Sequence, residues 1–192
     1  MISEGLVTST NEDGSAHFAP LGPVVDLAYS SLLLRPFQPS TTFDNLSRTR
    51  CGVFHILDDV ELIARCVTRT LHTLPEVFPA LQINGWVLET CCQWLEFEIT
   101  SIDDSSPRSE MQARIVHREQ RRPFWGYNRA RHALLELCIL ATRTHLLPQD
   151  EIRSAWRYFR PVIQRTAGET ELHCLELITE FLQSELEDDL HA

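Results

Sequence analysis

The sequence predicts an α+β chain, a β-rich body over residues 1–120 followed by a helical part over residues 121–192. Two observations carry this reading. Up to about residue 120 the apolar residues fall into six or so short, alternating runs separated by Gly, Pro, Asn and Asp. Beyond the basic stretch Arg118–Arg122 they recur at helical spacing instead. Short strands with few helices among them suggest a closed or partly closed barrel. With 43% apolar and 23% charged residues, the chain can bury a sizeable core.

Residues 4–11 alternate weakly, and Asn11-Glu12-Asp13-Gly14-Ser15 reads as a hairpin turn. The second strand, residues 16–26, is interrupted by Pro20, Gly22 and Pro23, which mark an edge or a bulge. A third, Ser31 to Phe37, is ended by Pro36 and Pro39. Ser40-Thr41-Thr42-Phe43-Asp44-Asn45-Leu46 is a helix start, with Thr41 and Asp44 at capping-box spacing and Asp in place of the usual Glu or Gln. Cys51 to Leu57 returns to a strand pattern. Asp58-Asp59 then caps a helix through Val60, Ile63, Ala64, Val67 and Leu71.

Trp86 to Ile102 reads as one long strand, with Leu95, Phe97 and Ile99 on one face and Trp94, Glu96 and Glu98 on the other, where Glu96 and Glu98 are expected to form a solvated face rather than a pair of acids for acid–base work. Met111 to Val116 pairs back with it. Ala130, Leu134, Leu137, Cys138 and Ala141 mark the first helix of the second part. The second runs from about Gln149 with Pro161 ending or kinking it, and the third follows Gly168.

Composition excludes several functions. All seventeen basic residues are arginine, so no lysine Schiff base can hold a cofactor. A net charge of −10 repels nucleic acid and anionic membrane surfaces. No apolar run is long enough to span a bilayer, and the start of the sequence lacks a signal-peptide pattern, so a cytoplasmic protein is expected. The six cysteines form no C-x-x-C pair and the eight histidines no metal spacing, so buried, reduced thiols and no metal site are expected. No Walker loop, G-x-S-x-G or G-x-G-x-x-G occurs.

Three places could carry chemistry. Arg35 stands just before the helix start at Ser40, Thr41 and Thr42. Helix N–H groups, hydroxyls and a guanidinium together suit a phosphate, and equally a plain capped helix beside a surface arginine. The stretch His17-Phe18-Ala19-Pro20-Leu21-Gly22 offers small residues against which a planar ring can lie, or is simply an irregular edge strand. In Arg121-Arg122-Pro123-Phe124-Trp125-Gly126-Tyr127-Asn128-Arg129, aromatics among arginines suit a flat anionic ligand, or the packing of a junction.

Taken in order, Val7-Thr8-Ser9-Thr10, Asp13-Gly14, the His17–Gly22 stretch, Thr42-Phe43-Asp44-Asn45-Leu46 and Cys51–Leu57 resemble the flavin-reductase-like split-barrel flavoproteins. More narrowly, with Arg122-Pro123-Phe124-Trp125-Gly126-Tyr127-Asn128-Arg129-Ala130, Glu136 and Ala141-Thr142-Arg143, the chain resembles the domain-of-unknown-function 447 family over nearly its whole length. That resemblance implies a Greek-key split β-barrel with a C-terminal helical subdomain, a homodimer, and FMN near the subunit interface. The flavin ring would lie by Ala19, Pro20, Leu21 and Gly22, with His17 and Arg129 near it. The phosphate would lie by Arg35, Ser40, Thr41, Thr42 and Asn45. His17 and His55 stand where the family pattern tends to have Asn. The implied function is an oxidoreductase of the flavin-reductase type acting on a small-molecule redox substrate: a reduced nicotinamide, another flavin or a pterin. Alternatives are a non-catalytic flavin-binding or sensing module or a structural dimer, with a link to pterin-dependent one-carbon metabolism.

Overall fold

A computed structural model describes residues 1–186 and 190 of the chain. It divides into two compact units, Met1–Leu57 with Leu74–Phe124, and Asp58–Thr73 with Trp125–Ala192.

The first unit holds β1 (Gly5–Thr10), β2 (Ala16–Leu21), β3 (Val24–Val25), β4 (Ser31–Leu34), α1 (Thr41–Thr49), β5 (Cys51–Ile56), β6 (Val77–Pro79), β7 (Trp86–Leu88), β8 (Gln93–Asp103) and β9 (Glu110–Gln120). Seven strands form one antiparallel sheet in the order β2-β1-β5-β8-β9-β4-β3. Its two outermost members are pieces of one bent strand. Val24 pairs with Leu33 and also bridges Ile2, so the sheet curls back on itself there. The bend falls at Gly22-Pro23, where a Cβ on Gly22 would come within 2.5 Å of the Glu4 carboxylate. The interruption legible in the sequence is therefore the corner of the barrel.

Inside the barrel lie Val7, Leu32, Leu34, Phe54, Met111 and the row Leu95, Phe97 and Ile99, joined by Leu46 of α1. The opposite face of β8 is buried as well at Trp94 and Glu96, where the sequence leads one to expect a solvated face. Glu96 is fully buried, its carboxylate accepting from Leu81 N (2.9 Å), Gln82 N (2.7 Å) and Trp94 Nε1 (3.2 Å). The loop beyond β6 is thus clamped onto that face, and of the two glutamates Glu98 alone stays open to water, paired with Arg114 at 2.7 Å. The predicted strand over residues 86–102 is broken at Glu89–Cys92. β7 pairs with β6 in a separate two-stranded ribbon, while β8 pairs with β5 and β9.

His55 ties this ribbon to the barrel. Leu88 N donates to its Nε2 (3.0 Å), so Nδ1 must carry the proton that goes to Leu6 O (3.1 Å). Burial pushes its pKa from 6.5 down to about 4. A depressed histidine pKa means that the folded protein binds fewer protons than the unfolded chain between these values. The contribution of His55 to stability is fully present above pH 6.5 and is lost as the pH falls toward 4. The expected result is a urea midpoint that drops over this window, with the His55 share of the drop absent in His55→Gln. An equal slope in both proteins refutes it.

The second unit holds α2 (Val60–Val67), α3 (Arg129–Ala141), α4 (Gln149–Thr166) and α5 (Glu169–Leu186). Asp59 caps α2 by accepting from Leu62 N, as the sequence indicates. The apolar face of α2, Val60, Ile63 and Ala64, packs with Leu134, Leu137, Trp156 and Ile178 of the other helices. That burial makes it a member of the helical unit although it lies between two strands of the first unit in sequence. α4 runs through Pro161 to Thr166 rather than stopping there. Arg131 of α3 pairs with the buried Glu171 of α5 at 2.8 Å. Burial pushes the thiols of Cys66, Cys138 and Cys174 up to about 11, 12 and 12, which keeps them protonated and unreactive. Among the described residues no helix is long and apolar enough to cross a membrane.

Candidate functional site

The hairpin register decides which way β2 presents its residues. Ser9 faces His17, Val7 faces Ala19 and Gly5 faces Leu21. Directly opposed residues share a face, and Val7 belongs to the barrel interior. His17, Ala19 and Leu21 therefore point inward, and Phe18 and Pro20 outward. β2 has a ladder partner on one side only within residues 16–21, so its other backbone edge can approach a flat ring. Ala19, Pro20, Leu21 and Gly22 are all half-buried.

α1 starts one residue earlier than the capping-box reading suggests. Ser40, not Thr41, is the N-cap; its Oγ accepts from Phe43 N (3.2 Å) and donates to Phe37 O (2.6 Å). The hydroxyl of Ser40 is thereby committed. The N–H groups of Thr41 and Thr42, in the first turn, have no acceptor within the helix. Thr41 is exposed, and Thr42 is buried with its Oγ1 3.1 Å from His17 Nε2.

Asn45, one turn on, extends this contact into a cluster. Its Nδ2 donates to Ser9 Oγ (3.2 Å) and Asn11 Oδ1 (2.8 Å), and its Oδ1 accepts from Arg48 Nη2 (3.1 Å). The same Arg48 nitrogen reaches Thr10 O at 2.5 Å. Burial lowers the pKa of His17, so its imidazole is neutral at ordinary pH. The structure thus brings His17, Thr42 and Asn45 together. Ser9, Asn11 and Arg48 join them without having been singled out from sequence. The signal for Ser9 was available, since a hairpin closing at Asn11–Ser15 sets it opposite His17.

Arg35 follows β4 and is half-buried, with a buried Nε that finds no acceptor among the described residues. Among the described residues no hydrogen bond joins it to the His17–Thr42–Asn45 cluster. A guanidinium N–H withdrawn from water and left unpaired is costly unless something else supplies an oxygen. In the other unit, Arg129 opens α3 and is exposed. Arg121 is spent on Glu89, by an ion pair and by Nε to the Glu89 carbonyl at 2.7 Å, and lies over Phe78 at 5.1 Å. Arg122 donates to Thr90 O at 3.2 Å. These two brace the turn between β7 and β8. Among the described residues no three His, Cys, Asp or Glu side chains are placed to hold a metal ion.

A model of the protein of unknown function (DUF447) N-terminal domain matches residues 3–122, and a DUF447 model matches residues 128–180. The chain belongs to the DUF447 family. Among solved structures, the FMN-bound DUF447 protein MM1853 from Methanosarcina mazei is 21% identical, covers 94% of both chains and gives a TM-score of 0.79. The styrene monooxygenase flavin reductase from Pseudomonas putida S12 is 13% identical over 64% of this chain and 82% of its own, with a TM-score of 0.53. An FMN-binding protein from Thermus thermophilus, solved with p-hydroxybenzaldehyde, is 12% identical over 63% of this chain and 73% of its own, with a TM-score of 0.54. What this DUF447 chain shares with them is the fold, the α+β split barrel of the flavin-reductase type. No curated protein matches it.

Proposed function

We propose that this DUF447 chain is an FMN-binding flavoprotein and an oxidoreductase of the flavin-reductase type. The observation that carries the reading is the full-length likeness to an FMN-bound member of the same family. The residues present fit the cofactor. The unpaired Arg35 Nε is a donor lacking an acceptor, and a phosphate oxygen supplies one. The first N–H groups of α1 add dipole and hydrogen bonds for the same group.

In this reading Arg35, Ser40, Thr41, Thr42 and Asn45 hold the phosphate, Ser40 through its place in the helix start rather than its hydroxyl. His17, Ala19, Pro20, Leu21 and Gly22 border the ring. The neutral His17 holds Thr42 in position, and the half-buried β2 edge keeps water from the ring. FMN, once bound, supplies the electron and hydride chemistry. A second copy of the chain completes the site, the substrate is a reduced nicotinamide, another flavin or a pterin, and the cytoplasm suits the free thiols.

Purified protein is expected to be yellow, to release FMN on denaturation and to sediment as a dimer. Colourless protein that ignores added FMN overturns the reading. Binding without catalysis is the second reading, favoured by His17 being the sole titratable side chain on β2 and already engaged with Thr42. Anaerobic bleaching of the flavin by NADH or NADPH separates the two.

A further inference from the structure

A flavin phosphate carries roughly two negative charges near neutral pH, and cations to meet them are scarce at the start of α1. The chain holds no lysine. Arg48 of α1 is spent on Thr10 O and Asn45 Oδ1, which leaves Arg35 with its unpaired Nε. His17 is placed to supply a further charge. Its Nε2 lies 3.1 Å from Thr42 Oγ1, and Thr42 stands in the first turn of α1 with its N–H free of a helical acceptor. The imidazole is thus one hydroxyl removed from the helix start to which the flavoprotein reading assigns the phosphate.

The direction of the His17–Thr42 hydrogen bond depends on the proton. A neutral imidazole with its hydrogen on Nδ1 accepts at Nε2 from the Thr42 hydroxyl, whose hydrogen is then denied to any other oxygen. An imidazolium donates at Nε2 instead, so the hydroxyl hydrogen is released and a positive charge arrives with it. Without a ligand the neutral form prevails, because burial lowers the pKa of His17 from 6.5. The elements packed against β2 bring few ionisable groups to bear on it. β1 has none, α1 has the exposed Asp44 and the engaged Arg48, and the hairpin turn has the exposed Glu12 and Asp13.

We propose that His17 is a proton-linked clasp on the phosphate site: an arriving phosphate draws a proton from solvent onto the imidazole, which then donates to Thr42 and adds its charge to that of Arg35. The inference rests on the flavoprotein reading for its ligand. Its sign follows from linkage. A phosphate that raises the His17 pKa leaves the complex holding more protons than its separate parts, so affinity rises as the pH falls. Protonation of the phosphate itself acts in the opposite sense below about pH 6, and a variant without the imidazole separates the two effects.

The test is FMN affinity against pH, read from flavin fluorescence, for the wild-type chain and for His17→Asn, whose amide can still bond Thr42 but takes up no proton. Between about pH 8 and about pH 6 the wild-type affinity is expected to rise roughly fivefold relative to the variant. Proton NMR of the wild-type protein gives a second readout, with the His17 signal assigned by its absence from His17→Asn or His17→Gln. Saturating FMN should move the His17 titration midpoint upward, and riboflavin, which carries the ring without the phosphate, should leave it in place. Parallel affinity profiles with an unmoved midpoint overturn the clasp, while FMN binding in the same titrations upholds the flavoprotein reading. An equal upward move with riboflavin also overturns it, since the ring would then be the cause. Wild-type protein that ignores FMN at every pH removes the flavoprotein reading and the clasp with it.

Discussion

Glu96→Ala is expected to lower the unfolding free energy by about 3–5 kcal/mol, a large part of what a domain of this size possesses. The wild-type carboxylate is fully buried and accepts three hydrogen bonds, two from successive backbone N–H groups at Leu81 and Gln82 and one from the Trp94 indole. Alanine leaves all three donors in a space too shielded for water to replace the lost oxygens freely. Glu96→Gln keeps the shape and one acceptor oxygen but turns an amide N–H₂ toward a donor. It is expected to cost about 1–3 kcal/mol. Urea unfolding followed by near-ultraviolet circular dichroism measures both. A loss below about 1 kcal/mol for the alanine variant would show that the clamp contributes nothing beyond a surface change. Limited proteolysis adds a local readout, because freeing Leu81 and Gln82 should expose the loop between β6 and β7 before the rest of the barrel opens.

Glu96 also marks where sequence reasoning stops. Alternation correctly placed Leu95, Phe97 and Ile99 inside, because period two is a property of the strand itself. Whether the other face meets water depends on what lies over it. Here that is a loop more than ten residues away, held by the very carboxylate whose alternation suggests exposure. The same limit explains α2. Its apolar spacing is legible, but that its partners are the helices of the C-terminal part, far along the chain, is a fact of packing. The helix start at residues 40–46 was legible to within one residue, since Ser40 and Thr41 are both good caps and only the backbone turn decides between them. The His17–Thr42–Asn45 cluster was legible residue by residue, each being singled out. The hydrogen bonds that hold it, His17 to Thr42 and Asn45 to Ser9 and Asn11, were not, because they join β-hairpin and helix positions that only the fold brings together.

Arg35→Gln is expected to weaken FMN binding on the order of a hundredfold while leaving the flavin-free protein as stable as wild type, or slightly more so. The two halves of this expectation come from one observation. An Arg Nε buried without an acceptor contributes no hydrogen bond to the fold, so its removal takes away an unsatisfied donor rather than a contact. A phosphate oxygen arriving there would gain a charge-assisted bond that glutamine cannot reproduce. Arg35→Lys keeps the charge but loses the planar fork, and should fall between the two. Arg48→Gln is the matched control. That guanidinium is already engaged with Thr10 O and Asn45 Oδ1, so its loss should show in the melting temperature of the flavin-free protein. If Arg35→Gln instead melts early and binds FMN as tightly as wild type, Arg35 is a structural residue and the phosphate lies elsewhere. If Arg35→Gln and Arg48→Gln both lose FMN affinity, the phosphate site extends along α1 from its first turn to the Asn45–Arg48 cluster.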